Sequence, residues 1–133
     1  MQGVPVRARL HIAVVAALAI AVAGALVATG VASPLAKSRK PVKVKVKDDF
    51  FKPTDVKVKK NGKVTWSWGK GTFDPHNVTL KKGPHGVKKS KFTSQTSSAP
   101  HFKYTKKFKK SGKYKFYCTI HPDIMKMKVV VKR

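Results

Sequence analysis

Alternation of apolar and charged residues is the main pattern of the chain from residue 42 onward. In residues 42–47 valine and lysine alternate, and near the C-terminus Met127, Val129 and Val131 share one parity while lysines occupy the other. Successive side chains of a β-strand point to opposite faces, so a period of two predicts strands with one buried and one solvated face. The period stays near two along the rest of the region, which favours strands over helices.

Turn-forming residues divide this region into short strands. Asn61-Gly62 separates an alternating segment at 56–58 from another at 64–68. An Asn-Gly pair between such segments is typical of a β-hairpin. We therefore expect these two segments and the one at 42–46 to form one continuous antiparallel run.

The later part of the chain predicts further strands around a long connection. A short strand is expected at 76–80, followed by a connection at 81–100 rich in Lys, Ser and Thr, with one irregular strand near 91–92. Together with the strands before the C-terminus, this makes seven or eight short strands. Strands of this number and spacing predict an all-β sandwich over residues 42–133.

The first 32 residues have the composition of an export signal. Arg7 and Arg9 precede a run without charge at 12–36 that is rich in Ala and Val. A short basic start followed by an apolar stretch is typical of secretory signal peptides. We expect a signal peptide at 1–32, a basic linker at 33–41, and a domain that works in the periplasm, outside the cell, or anchored to the outer side of a membrane.

An uncleaved membrane anchor is the alternative interpretation of this segment. About 20 apolar residues are enough to span a bilayer, and the segment has that length. However, Lys37, Arg39 and Lys40 follow it closely. Positive charges on that side oppose its passage across the membrane, so a cleaved signal is favoured.

The charge of the chain restricts its partners. Lys and Arg number 30 against 5 acidic residues, giving a formal charge of +25 that falls to +23 when Arg7 and Arg9 leave with the signal. Nucleic acid is the usual partner of so basic a protein, but an exported domain meets little of it. We expect no nucleic-acid binding, and consider an acidic redox protein and an anionic envelope surface as partners of a monomeric domain.

Two sequence segments carry metal-binding side chains. His76 lies in one, and Cys118, His121 and Met125 lie in the other; Cys118 is the chain's single cysteine, so an internal disulfide is excluded. One thiolate, two imidazoles and one thioether form the donor set of a mononuclear blue-copper site. Zinc also accepts Cys and His, but a single thiolate with a thioether suits copper better. His85 and His101 are interpreted as loop histidines.

The sequence resembles the plastocyanin/azurin-like cupredoxins over nearly all of residues 42–133. The resemblance is carried by five motifs, which are Phe51-Lys52-Pro53, Gly62-x-Val64-x-Trp66, His76-Asn77-Val78-Thr79-Leu80, Gly112-x-Tyr114-x-Phe116-x-Cys118 and Cys118-x-x-His121-Pro122. It implies a cupredoxin-like Greek-key β-sandwich that binds one type 1 copper ion and carries electrons.

The resemblance also implies a role for each site residue. His76, Cys118 and His121 correspond to the equatorial ligands. Asn77 corresponds to the residue whose hydrogen bonds tie the first ligand loop to the cysteine loop, and Pro122 lies beside the solvent-facing edge of His121.

The axial position departs from the common spacing. Three residues separate His121 from Met125, and Met127 is a competitor for the axial role. Because Met127 shares the parity of the apolar residues in its strand, we interpret Met127 as core and Met125 as the ligand.

Three functions of different classes follow from these features. The chain is an electron carrier that cycles between Cu(I) and Cu(II), a copper-handling protein that buffers or delivers the ion, or an envelope-binding domain in which the metal is incidental. The complete donor set favours the first two. An enzyme is not expected, because four protein donors leave no open position for a substrate.

Overall fold

Eight β-strands form the fold of residues 39–133, the part of the chain that this computed structural model describes. In chain order they are β1 (Val42–Lys47), β2 (Phe50–Lys52), β3 (Asp55–Lys59), β4 (Lys63–Trp68), β5 (Thr79–Lys82), β6 (Lys103–Lys107), β7 (Gly112–Tyr117) and β8 (Lys126–Lys132). The predicted export segment and residues 33–38 of the predicted linker lie outside the described residues, so these boundaries stay predictions. Within the described range, no helix has the length and apolar character needed to cross a membrane.

The strands are arranged in two four-stranded sheets. The first has the order β2-β1-β4-β6 and the second has the order β3-β8-β7-β5. Strands β1 and β4 are parallel, as are β3 and β8, while the other neighbours are antiparallel. The predicted all-β sandwich is thus confirmed.

The expectation of one continuous antiparallel run through β1, β3 and β4 is wrong. Strand β3 belongs to the second sheet, and β4 pairs with β1 in parallel. The Asn61-Gly62 turn carries the chain from one sheet to the other, with the Gly62 N–H donating to the Lys59 carbonyl at 2.8 Å. Apolar alternation determines which face of a strand is buried, but it does not determine the neighbouring strand.

Two predicted strands in the middle of the chain also differ from the structure. The strand expected at 76–80 begins only at Thr79, because His76 forms an isolated bridge with Ser97 instead. The irregular strand expected near 91–92 is part of a 3₁₀-helix, Lys89–Phe92. This turn packs the Phe92 ring against Phe108, with the ring centroids 5.4 Å apart.

The apolar faces of the two sheets pack against each other. Val44 and Val46 of β1 are fully buried, as the alternation predicted, and burial of each contributes about 1.5–3 kcal/mol. Trp66 of β4 joins the sheets, since its ring centroid lies 5.2 Å from that of Phe116 on β7. Its indole N–H also donates to the Met127 sulfur on β8 at 3.0 Å. The interpretation of Met127 as a core residue is confirmed.

Candidate metal centre

Cys118 lies at the point where β7 ends and the loop to β8 begins. Its side chain is fully buried. The backbone N–H of Cys118 donates to the carbonyl of Met125 at 3.1 Å, and the N–H of Met125 donates to the carbonyl of His121 at 3.0 Å. The Cys118–Met125 bond extends the antiparallel pairing of β7 with β8 and closes the loop at its base, while the Met125–His121 bond lies within the loop.

His76 comes from the segment between β4 and β5. Its backbone exchanges two hydrogen bonds with Ser97, at 3.0 and 2.9 Å, and its side chain is fully buried. The next residue, Asn77, directs its backbone N–H to the Cys118 sulfur at 3.4 Å. Two segments that are distant in sequence are therefore joined directly at the cysteine.

Three metal-binding side chains converge between these segments. His76 Nδ1 lies 3.2 Å from His121 Nδ1 and 4.0 Å from Cys118 Sγ. Donor atoms of the three residues all lie within 4.8 Å of one another, with His76 and Cys118 buried and His121 partly exposed. The structure thus brings together the three residues expected to be equatorial ligands.

The second nitrogen of each imidazole faces a carboxylate. His76 Nε2 lies 3.1 Å from Asp48 Oδ1, a hydrogen-bonding distance, and His121 Nε2 lies 3.6 Å from Asp49 Oδ1. We assign the Nε2–H tautomer to His76, because an ionised carboxylate accepts a hydrogen bond and cannot donate one. This leaves its Nδ1 lone pair directed toward His121 Nδ1 and the thiol, an arrangement that suits a cation bound between them.

Asn77 links the two ligand segments with its side chain. Its amide nitrogen donates to the hydroxyls of Thr96 and Thr119, at 3.0 and 2.6 Å. Its amide oxygen accepts the backbone N–H of Thr119 at 3.0 Å and the hydroxyl of Thr79 at 3.2 Å. These contacts are of the kind that the resemblance implied for Asn77.

The two methionines have different surroundings. Met125 is fully buried in the ligand loop, where its backbone pairs with both Cys118 and His121. Met127 lies two residues further on, in β8, and its sulfur accepts the indole N–H of Trp66. The Met127 sulfur thus has a partner in the core, whereas Met125 lies in the loop of Cys118 and His121.

The carboxylates around the histidines were not predicted from the sequence. Asp48 and Asp49 occupy the turn between β1 and β2, and Asp49, Asp74 and His121 form a second, more exposed cluster of metal-binding groups. Asp123 follows in the ligand loop. Four of the five acidic residues of the chain are therefore on segments that carry or contact the two histidines. An adjacent Asp pair in a chain with so few carboxylates was the available signal.

Asp48 is the most highly connected of these carboxylates. It accepts the backbone N–H groups of Phe73 and Asp74, at 3.0 and 3.1 Å, in addition to its contact with His76. The pKa of Asp48 is below its usual value, first because of the Phe73 hydrogen bond and further because of His76 and Asp74, while partial burial opposes these effects. Asp48 is therefore a charged carboxylate at neutral pH.

Apolar side chains are exposed beside the site. Ile120 and Ile124, on either side of His121 in the ligand loop, are 47% and 61% exposed. Phe73, whose N–H contacts Asp48, is 79% exposed, and Pro122 is exposed as well. The loop histidines His85 and His101 are exposed and do not belong to the His76 cluster.

Comparisons with known proteins indicate a copper-binding family. The family model described as copper binding proteins, plastocyanin/azurin family, matches residues 40–132. Amicyanin-alpha of Methylorubrum extorquens is 38% identical over 89 residues, which are 67% of this chain and 70% of amicyanin-alpha. The crystal structure of amicyanin from Paracoccus versutus is similar with a TM-score of 0.56 and 29% identity, covering 70% of this chain and 82% of that one.

A more distant likeness concerns the fold alone. A Cu-containing nitrite reductase from Thermus scotoductus SA-01 is similar with a TM-score of 0.58 at 22% identity, covering 71% of this chain. The matched region is only 23% of the reductase chain.

The chain belongs to the plastocyanin/azurin family of copper-binding proteins. The expected cupredoxin resemblance is therefore confirmed. Copper as the cofactor is confirmed by the family together with the His, Cys and His group of the site.

Proposed function

We propose that this chain is an exported electron carrier in which His76, Cys118, His121 and Met125 bind one copper ion. The observation that best supports the site is the convergence of two imidazole nitrogens and one thiol within 4.8 Å. A thiolate with two imidazoles and a buried thioether fits copper better than zinc, because zinc has no preference for a weak axial sulfur. When bound, copper supplies a one-electron couple between Cu(II) and Cu(I).

The surrounding chain restricts movement of the donors. Asn77 ties the segment of His76 to the loop of Cys118, and the pairing of β7 with β8 fixes both ends of that loop. A site held this way changes little in geometry between two oxidation states. A small rearrangement favours fast electron transfer over storage of the ion.

His121 is the donor that reaches the surface. Its side chain is 23% exposed, whereas that of His76 is 0% exposed. Ile120, Pro122 and Ile124 surround it with an exposed apolar surface. We propose that a redox partner docks on this surface and exchanges electrons through the edge of His121.

Copper delivery is the alternative function of the same site. A delivery protein must release the ion, whereas a carrier must retain it through repeated oxidation and reduction. The full chain is loaded with Cu(II), cycled with reductant and oxidant, and challenged with a chelator. Complete recovery of a blue colour over many cycles supports the carrier, and rapid loss of copper in either state supports delivery.

The two methionines are separated by their leucine variants. Met125→Leu removes a weak donor, and we expect Cu(II) to lose more stabilisation than Cu(I). The reduction potential should therefore rise, while the blue colour persists because the copper–thiolate bond is unchanged. Met127→Leu leaves the Trp66 indole without an acceptor, so we expect a loss of about 1–2 kcal/mol of stability with little change in potential. Voltammetry and thermal unfolding of both variants test this assignment, and reversed effects on the potential would move the axial role to Met127.

The positive charge favours an acidic redox partner. With the predicted signal removed, the formal charge is +23. Four of the five acidic residues nevertheless lie on segments that carry or contact His76 and His121. We therefore propose that the lysines of the whole surface together attract the partner at long range, with those nearest the ligand loop contributing most. The anionic envelope surface and the monomeric state stay predictions.

Electron transfer to an acidic partner should depend on salt in a specific way. The Debye length is about 30 Å at 0.01 M salt and about 10 Å at 0.1 M, so the summed field is screened between these concentrations. We expect the bimolecular rate to fall tenfold or more over this range and to change little above it. Lys126→Gln should reduce the low-salt rate more than Lys43→Gln, since Lys126 adjoins the ligand loop. A rate that does not depend on salt would contradict steering by charge.

A further inference from the structure

A single carboxylate connects the buried ligand His76 to the backbone of its own segment. Asp48 Oδ1 lies 3.1 Å from His76 Nε2, and it also accepts the N–H groups of Phe73 at 3.0 Å and Asp74 at 3.1 Å. Asp48 comes from the turn between β1 and β2, 28 residues before His76. The contact is therefore made by the fold and not by sequence proximity.

The two ends of this contact are in different environments. The His76 side chain is 0% exposed, and the Asp48 side chain is 30% exposed. Among the hydrogen bonds of residues 39–133, the Asp48 carboxylate is the only acceptor for His76 Nε2. If that carboxylate were absent, the buried Nε2–H would lose its partner, and the proton could move to Nδ1, the nitrogen that faces Cys118 and His121.

We infer that Asp48 is a positioning residue that keeps the Nδ1 of His76 free for copper and, by its negative charge, stabilises Cu(II) relative to Cu(I). This inference rests on the proposed copper site. A carboxylate on the distal nitrogen of a metal-bound histidine fixes its tautomer and increases its basicity as a ligand. An anionic neighbour also favours the more highly charged oxidation state. Asp48 should therefore lower the reduction potential of the copper site and strengthen its retention of Cu(II).

Asp48→Asn in the full chain removes the charge and preserves the shape. The Asn oxygen can still accept the N–H groups of Phe73 and Asp74, so the segment keeps its backbone contacts. We expect the variant to stay blue, to bind Cu(II) about 10- to 100-fold more weakly, and to have a higher potential. Each tenfold loss of Cu(II) affinity relative to Cu(I) corresponds to about 59 mV for one electron.

Two variants separate this role from a structural one. Thr72 lies in the same segment as Phe73, and its hydroxyl donates to the Val46 carbonyl of β1 at 2.9 Å, so Thr72→Val removes a tie between the same two elements without changing charge. Asp55 lies on β3 and pairs with Lys128 at 2.9 Å, so Asp55→Asn removes one negative charge away from His76. We expect Thr72→Val to lower the unfolding temperature and Asp55→Asn to change little, with both leaving the potential near that of the unmodified chain.

A second measurement does not require copper. Nitrogen NMR of the histidine rings in the metal-free full chain reports which nitrogen of His76 carries the proton. We expect the Nε2–H tautomer in the unmodified chain and in Asp48→Asn, whose Oδ1 can still accept the Nε2–H. We expect a substantial Nδ1–H population in Asp48→Ala, which removes the acceptor. If the unmodified chain forms no blue species, the proposed function fails, while the NMR result still decides the role of Asp48.

Two results would overturn the inference. In the first, Asp48→Ala keeps the His76 tautomer of the unmodified chain, or Asp48→Asn keeps its reduction potential. In the second, Asp48→Asn lowers the unfolding temperature as Thr72→Val does and shifts the potential no more than Thr72→Val. Either would mean that Asp48 only holds the segment of Phe73 and Asp74 against the turn after β1.

Discussion

Replacing Cys118 by Ser should abolish the blue absorption of the copper-loaded protein while the fold persists. The colour requires a copper–thiolate bond, and Cys118 is the only cysteine of the chain. The buried core does not depend on this bond, because Trp66, Phe116 and the valines of β1 pack without it. Visible absorption after addition of one equivalent of Cu(II) measures the first effect, and thermal unfolding of the metal-free protein measures the second.

The Ser hydroxyl can accept the N–H of Asn77, as the thiol does at 3.4 Å in the structure. We therefore expect the free energy of unfolding of the metal-free variant to lie within about 1–2 kcal/mol of that of the unmodified protein. A Cys118→Ser variant that still turned blue would show that the site lies elsewhere. A variant that failed to fold without metal would show that the cysteine has a structural role beyond copper binding.

Replacing His76 by Ala should cause a large loss of copper. The change removes a ligand and opens a coordination position in a fully buried part of the site. We expect copper affinity to fall by more than the roughly 10- to 100-fold that is typical of changes outside the ligands themselves. Added imidazole should restore part of the colour by occupying the open position, as measured by titration under the same conditions.

His85→Ala is the matched control for this variant. His85 is an exposed histidine outside the ligand cluster, so its loss should change neither the spectrum nor the affinity. If His76→Ala kept the full spectrum and His85→Ala lost it, the distant ligand would be misassigned. Equal and small effects of both variants would exclude His76 as a ligand altogether.

Strand positions were predictable where burial alternates strictly. Val44 and Val46 in β1, and Met127 and Val129 in β8, are buried as their parity indicated. The pairing of strands was not predictable in the same way, because β1 and β4 are parallel neighbours and their contact depends on a distant crossover. Local alternation carries no information about that crossover.

At the metal centre, residues in local motifs were predictable and residues brought in by tertiary contacts were not. Cys118 and His121 lie on one loop with two residues between them, and this spacing, together with the motif around His76, made all three recognisable. Asp48 and Asp49 contact the histidines only because the turn after β1 lies beside the site. Their role depends on tertiary structure, and the sequence contains no spacing that connects them to His76 or His121.

The most direct test of the copper site is a Cu(II) titration of the purified full chain, followed by visible absorption and electron paramagnetic resonance. We expect an intense blue species that grows linearly and stops at one copper ion per chain, with the narrow copper hyperfine splitting of a thiolate-bound type 1 centre. A pale product, or a blue species that failed to saturate at one ion, would contradict this expectation.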